Sequence, residues 1–208
     1  MTVEHEDKVQ MLVDPESTYA ISQGNAMGRA YDKIIIEAAS GTALDGTGTP
    51  VALPAAQTIG NGTLPISFDY ITAVQEQFMK NEITPDEQKV FVVGPTQIRK
   101  LMQLTEQTSG DYVQREALQR LSSTGICPNW MGFTWIMSNQ LEVPLATQLN
   151  CIAYTRRGIG LAVNQDMFTR ITENPEKQYM IQVFSQWTAG AVRTEDEHVV
   201  ILHVADTL

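Results

Sequence analysis

The stretch MGRAYDKIIIEAASG, residues 27–41, forms the second half of the longest element that the sequence predicts. This element is a helix of about twenty residues from Tyr19 to Ala39, for which Ser17 or Thr18 can act as the cap. Apolar residues recur along it at intervals of three and four, which predicts one face turned toward a core. The residues of this face are Met27, Ala30, Tyr31, Ile34, Ile35 and Ala38.

A glycine-rich segment follows the helix. Gly41–Pro65 is rich in Gly, Thr, Pro and Ala and poor in large apolar side chains, so we expect a long surface loop. The segment lacks the lysine and the strand-to-helix setting of a phosphate-binding loop, which argues against phosphate binding.

Helix, strand and helix then follow in quick succession, which predicts a compact α/β lobe. The predicted elements are a helix from Asp69 to Asn81 with Asp69 as its cap, a strand at Lys89–Val93 and a helix from Gln97 to Thr108. The side chains expected to face inward are Ile71, Val74 and Phe78 in the first helix, and Ile98, Leu101 and Met102 in the second.

The second half of the chain predicts mainly strands, which makes the fold class α+β. Alternation from Tyr179 to Thr188 predicts a long strand, and Gly190–Arg193 either extends it or starts the next strand. The acidic stretch 194–197 predicts the turn of a hairpin that His198–Val204 completes. The other predicted elements are a short helix around Gln114–Leu121, an aromatic strand at Trp130–Met137 and short strands at Ile152–Tyr154 and Gly160–Val163.

Composition excludes several function classes. The chain has 208 residues, of which 43% are apolar and 18% charged, without an apolar run long enough to span a membrane. Its net charge of −10 opposes wrapping of nucleic acid, because neutralising phosphates requires clustered cations. Residues 1–10 lack the apolar core of a secretory signal, so we expect the protein to stay in the cytosol after synthesis.

The sequence offers no pattern of catalytic residues. His198 and His203 are five residues apart on a predicted strand and fall on opposite faces, so they are not expected to share a metal ion. Glu195 and Glu197 lie in the predicted acidic turn, where solvation is the simpler expectation. Cys127 and Cys151 are predicted to be buried free thiols. We therefore predict no catalytic, cofactor-binding or metal-binding residues.

Several stretches resemble tailed-bacteriophage major capsid proteins of the podovirus type. Residues 14–19 and 27–43 look like the spine helix and its flanks, and residues 187–193 with the following strand resemble the closing hairpin. Three further stretches look like the axial lobe of these proteins: residues 112–118, 130–133 and 155–163. The same Hong-Kong-97-like fold occurs in encapsulins.

The resemblance implies a two-lobed shell subunit. Residues 14–68 and 164–208 would form a peripheral lobe, containing the spine helix and a long β-hairpin, and residues 69–163 an axial α/β lobe. Such subunits associate with one another as pentamers and hexamers of an icosahedral capsid around a DNA genome. The implied location is the virion, after assembly in the bacterial cytoplasm, with scaffolding, portal or decoration proteins as further partners.

One departure from the family concerns the amino terminus. Family members begin with a long arm and an extended loop, whereas residues 1–13 leave room only for a residual arm. Either the sequence is a fragment or processed form, or some other contact replaces this arm and loop, so covalent cross-linking through such a loop is not carried over from the family. Contacts between copies are expected instead at Gly41–Pro65 and at the acidic turn around Glu195.

Two other functions are kept as alternatives. The first is an encapsulin-like shell of a bacterial nanocompartment, which uses the same fold but binds cargo through amino-terminal structure. The second is a soluble α/β hydrolase or transferase, which requires a deep polar pocket with a converging base.

Overall fold

The computed structural model describes residues 2–3, 15–103, 112–177 and 180–206. In chain order the elements are β1 (Thr2–Val3), α1 (Pro15–Ser40), β2 (Ala43–Leu44), β3 (Pro50–Val51), β4 (Thr58–Ile59), α2 (Phe68–Lys80), β5 (Lys89–Val93), α3 (Pro95–Gln103), α4 (Tyr112–Thr124), β6 (Ile126–Trp130), β7 (Phe133–Met137), β8 (Gln148–Thr155), β9 (Ile159–Asn174), β10 (Met180–Arg193) and β11 (Val199–Ala205).

The chain divides into two compact units. The small unit consists of Met1–Ile34 and Leu161–Gly190, and the large unit consists of Ile35–Gly160 and Ala191–Leu208. This division places residues 35–68 and 191–208 in the large unit, whereas the sequence analysis assigned them to a peripheral lobe. The lobes are defined by positions in a shell, and their boundaries stay a prediction.

The long helix differs from its prediction in its start and in its most deeply buried residues. It begins at Pro15, so Ser17 and Thr18 lie inside it and do not precede it as caps. Proline suits the first helical position because the backbone N–H that it lacks would be unpaired there anyway. Ile36 and Ala39 are buried, while Ala30 is exposed. Of the six residues predicted for the apolar face, Ala30 is the exception and the other five are half-buried, so the face was correct in the main. The most deeply buried positions, Ile36 and Ala39, lie in the last turns of the helix, which pack on the core of the large unit.

A six-stranded sheet forms the centre of the large unit, in the order β4-β11-β8-β5-β7-β6. β8 is antiparallel to both β11 and β5, whereas β11 and β4 are parallel, as are β5 and β7. Val199–Val204 is buried except at His203 because helices and loops cover the sheet. β4 also corrects the prediction for Gly41–Pro65, since part of this segment pairs with the sheet.

The helices of the large unit follow their apolar periodicity with three corrections. Ile71, Val74 and Phe78 are buried as predicted, but the cap of α2 is Ser67, whose Oγ accepts from the Tyr70 N–H, and not Asp69. In α3, Ile98 and Leu101 are buried whereas Met102 is 42% exposed. The predicted extension of α3 to Thr108 lies outside the described residues. α4 is longer than the predicted Gln114–Leu121.

The aromatic segment predicted as one strand is a hairpin. Trp130 of β6 pairs with Phe133 of β7, and Met131 and Gly132 form the two-residue turn with φ of 52° and 78°. Two positive φ angles are typical of the tight turn that joins antiparallel strands. Trp135 is fully buried and stacks on Phe91 of β5 with 4.6 Å between ring centroids. This cluster fixes the hairpin against the sheet.

The small unit contains residues 15–34 of α1 and a sheet in the order β1-β10-β9. Side-chain bonds between Thr169 and Ser185 and between Asn174 and Gln182 show that β9 and β10 run antiparallel. The predicted hairpin between β10 and β11 is therefore wrong: β11 pairs with β8 and β4. The start of the predicted long strand at Tyr179 lies outside the described residues.

Candidate functional site

A buried arginine joins three segments of the large unit at the end of α1. Arg193 is 4% exposed and donates to the carbonyl oxygens of Ala39, Gly41 and Val51 at 3.4, 2.5 and 2.9 Å. Its Nε donates to the Asp196 carboxylate. A helix end leaves carbonyls unpaired, and a cation there is favourable for the helix dipole. Arg193 thus fixes both of the segments predicted to contact other copies.

The first of these segments, Gly41–Pro65, carries a well-defined turn. Asp45 Oδ1 accepts from the Thr47 hydroxyl at 2.7 Å and from the Thr49 N–H at 2.8 Å. These hydrogen bonds hold the pKa of Asp45 below its usual value, and the bond from the Thr47 hydroxyl contributes most. Leu44 and Leu64 are 64% and 57% exposed, so the segment presents apolar side chains to solvent on an ordered backbone.

The second segment, the acidic turn, is held by partners on both sides. Asp196 pairs with Arg193, and Glu195 Oε2 lies 2.9 Å from His198 Nε2. The carbonyl oxygen of Glu197 accepts from the Asn81 side chain at 2.7 Å. The expectation of simple solvation was therefore incomplete, although Glu195 stays 53% exposed.

The structure brings Thr155, His198 and Glu195 into a chain of polar contacts. Thr155 Oγ1 is 2.6 Å from His198 Nδ1. The other ring nitrogen of His198, Nε2, faces Glu195. A hydroxyl, an imidazole and a carboxylate in this order match the composition of a hydrolytic triad. The Thr155 side chain is fully buried, however, so no substrate can approach its hydroxyl. The contacts stabilise the start of β11.

His203 has a separate set of partners. The Asn150 side-chain N–H donates to Glu142 at 3.1 Å, which leaves Asn150 Oδ1 facing His203 Nδ1. His203 must therefore carry its proton on Nδ1 to donate this bond. Burial lowers the pKa of His203, and the Glu142 charge opposes that effect. Among the described residues no group of three or more His, Cys, Asp or Glu is arranged to hold a metal ion.

Both cysteines are buried free thiols, as predicted. Burial raises the pKa of the Cys151 thiol to about 12 and also raises the pKa of Cys127. Neither thiol is suited to nucleophilic chemistry, because the thiolate is the reactive form.

The small unit exposes an unusually large part of β9. Every residue from Leu161 to Glu173 is exposed, including Met167 at 55% and Phe168 at 50%. In the part of this unit whose side chains are described, Val183 is the one buried residue. Only Gly160–Val163 of this strand was predicted from the sequence. Alternating Leu161, Val163, Met167 and Ile171 would have been a signal for the remainder.

An apolar groove lies between α1 and β9 in the small unit. Its volume is about 390 Å³. Tyr31 and Trp187 pack with ring centroids 5.3 Å apart and line it, as do Asp32 of α1 and Asp166 of β9. Within the described chain, no helix is long and apolar enough to cross a bilayer.

Comparison with known proteins gives one family and one fold. The family described as phage capsid protein matches residues 1–206. No curated protein sequence matches the chain significantly.

Similar solved structures include the capsid of cyanophage Pam1 (TM-score 0.69, 12% identity, 99% of this chain and 73% of that chain). A structure from Mycobacterium phage Che8 is also similar (TM-score 0.67, 17% identity, 97% and 68%). The SrpI encapsulin of Synechococcus elongatus follows (TM-score 0.61, 13% identity, 100% and 72%). These likenesses show the Hong-Kong-97-like fold that the sequence predicted. With the family match over residues 1–206, they show that this chain belongs to the phage capsid protein family and is a structural capsid subunit.

Proposed function

We propose that this chain is the repeating subunit of a tailed-phage icosahedral shell, in which copies associate as pentamers and hexamers around the DNA genome. Association in a closed shell requires surfaces that fit other copies over extended edges. The proposal also places the mature protein in the virion, after assembly in the cytoplasm of the bacterial host.

The observation that carries this proposal is the exposed strand β9. Its thirteen consecutive exposed residues include large apolar side chains. Among the residues that the structure describes, β9 is the last strand of its sheet, so one of its backbone edges has no partner strand there. Long, apolar edge strands attract other chains, and proteins normally shorten or cover them. Contacts with neighbouring copies would supply that cover.

The negative net charge supports a shell wall that does not bind the DNA genome. The net charge of −10 disfavours adhesion of the wall to a polyanion, so DNA would be enclosed by proximity and not held by specific contacts. Portal, scaffolding or decoration proteins are the further partners that such a shell requires or accepts. A structural role is the one that the family indicates, and no enzymatic step is proposed.

An encapsulin-like compartment is the second candidate, because the SrpI encapsulin shares the fold. The family match favours the phage capsid. The two differ in contents, since a capsid encloses nuclease-protected DNA whereas an encapsulin encloses protein.

Light scattering and negative-stain electron microscopy of the purified chain test the proposal. We expect closed particles or rings of five and six copies, with masses that are multiples of 23.1 kDa. A single species of 23.1 kDa at every concentration would contradict it.

A further inference from the structure

We propose that the groove between α1 and β9 is a docking site for the arginine pair Arg156–Arg157 of a second copy of this chain. The inference deepens the proposed function and rests on it, because it names one surface through which copies associate.

The groove combines features that favour a guanidinium group. Tyr31 and Trp187 provide aromatic surface, and the carboxylates of Asp32 and Asp166 provide negative charge. An arginine side chain can place its stem against the aromatic surface while its planar head pairs with a carboxylate. Beside Gln165, the side chains of Met27, Val163 and Met167 add apolar lining, which matches the arginine stem.

The two aspartates lack a cation of their own. Within the described residues, neither Asp32 nor Asp166 forms an ion pair. Both line one groove of about 390 Å³, so a cation that enters it finds two carboxylates available. An ion pair with either of them would add attraction.

The second copy offers a matching cationic turn. Arg156 and Arg157 are the one Arg-Arg pair in the sequence, and both are exposed between β8 and β9. The backbone behind them is fixed, because Gly158 N–H donates to the Thr155 carbonyl at 3.0 Å and Arg157 N–H to the Thr155 hydroxyl at 3.3 Å. A turn that is already ordered loses little entropy on docking.

Overall charge makes local complementarity necessary. Each copy carries a net charge of −10, so two copies repel each other on average. Arginines of one copy facing aspartates of the next convert this repulsion into attraction at one place and select the register of the contact. The contact is heterologous, joining different surfaces of two copies, as a ring requires.

A charge-swap experiment tests the pairing. Three variants are compared with the unmodified chain by sedimentation velocity over a concentration series: Asp32→Arg with Asp166→Arg, Arg156→Asp with Arg157→Asp, and all four changes together. Each double variant should need a protein concentration about tenfold or more above that of the unmodified chain to associate. The fourfold variant, which carries all four changes, should associate at a concentration within about threefold of that of the unmodified chain. Exposed Asp86→Arg and Arg99→Asp serve as charge controls and should stay within about twofold.

The outcomes separate this inference from the proposed function. If the unmodified chain associates and the double variants behave like the controls, or the fourfold variant is no better than the doubles, the docking site is overturned while the shell function stands. If the unmodified chain stays monomeric throughout, the proposed function fails first. Circular dichroism of each variant should match the unmodified chain because every changed residue is exposed.

Discussion

Arg193 donates a hydrogen bond from Nη2 to the carbonyl oxygen of Val51 at 2.9 Å, and so ties the end of β10 to the glycine-rich segment. The same guanidinium also holds the carbonyl of Gly41 and the carboxylate of Asp196. One buried side chain therefore positions the end of the spine helix and both segments predicted to contact other copies.

Replacing this side chain should destabilise the large unit. Arg193→Ala leaves carbonyl oxygens without a donor, and Arg193→Lys supplies a point charge that cannot reach all of them. We expect Arg193→Ala to lower the free energy of unfolding by about 2–4 kcal/mol, measured by urea denaturation. The matched control is Arg99→Ala, at an exposed position of α3, for which a loss of about 0.5 kcal/mol or less is expected. Equal losses for both variants would contradict the role of Arg193.

The orientation of α1 predicts that an aspartate destabilises the protein by different amounts at two positions of this helix. Ile36→Asp buries an unpaired charge in the core of the large unit and should lower the free energy of unfolding by about 3–5 kcal/mol. Ala30→Asp places the charge on an exposed turn and should cost about 1 kcal/mol or less. Thermal melting followed by circular dichroism measures both. If Ala30→Asp is the more damaging variant, the helix faces the other way.

The local elements were predicted from the sequence better than the pairing of the strands. Lys89–Val93 was correct to the residue, because a short β-branched run between turn signals has few alternatives. The partner of His198–Val204 was wrong, since alternation shows that a segment is a strand but not which strand pairs with it. Arg193 was missed because its acceptors are mainly backbone carbonyls, which no sequence pattern marks. The groove depends on residues more than 130 positions apart, which only the fold brings together.

Stability should depend on pH through His203. Its pKa is lowered by burial from the ordinary 6.5, so near pH 6 the unfolded chain binds more protons than the folded chain. The contribution of His203 to stability is therefore complete above pH 6.5 and declines as the pH falls through 6.5 toward the lower folded pKa. Urea denaturation between pH 7.5 and 5.5 should show this decline.

Comparison with His203→Gln isolates the effect, because glutamine can donate to Asn150 but does not titrate. The variant should lose less stability over the same pH range than the unmodified chain. An identical pH dependence in the two proteins would contradict the role of His203.

Cys151 should be unreactive in the folded protein. Its thiol is buried with a pKa raised to about 12, so the thiolate is scarce near neutral pH. In the variant Cys127→Ser, which leaves Cys151 as the sole thiol, maleimide labelling at pH 7.5 should be negligible until denaturant is added. Rapid labelling of the native variant would show that the sheet around β8 opens.

A cryo-electron microscopy reconstruction of the assembled particle tests the central claim, that the exposed surface of the small unit is an interface between copies. We predict a closed shell in which residues 161–173 of each copy, and the groove between α1 and β9, are covered by a neighbouring copy. A shell in which β9 faces solvent along its length would contradict this account of the interface, and a chain that forms no particle would contradict the proposed function itself.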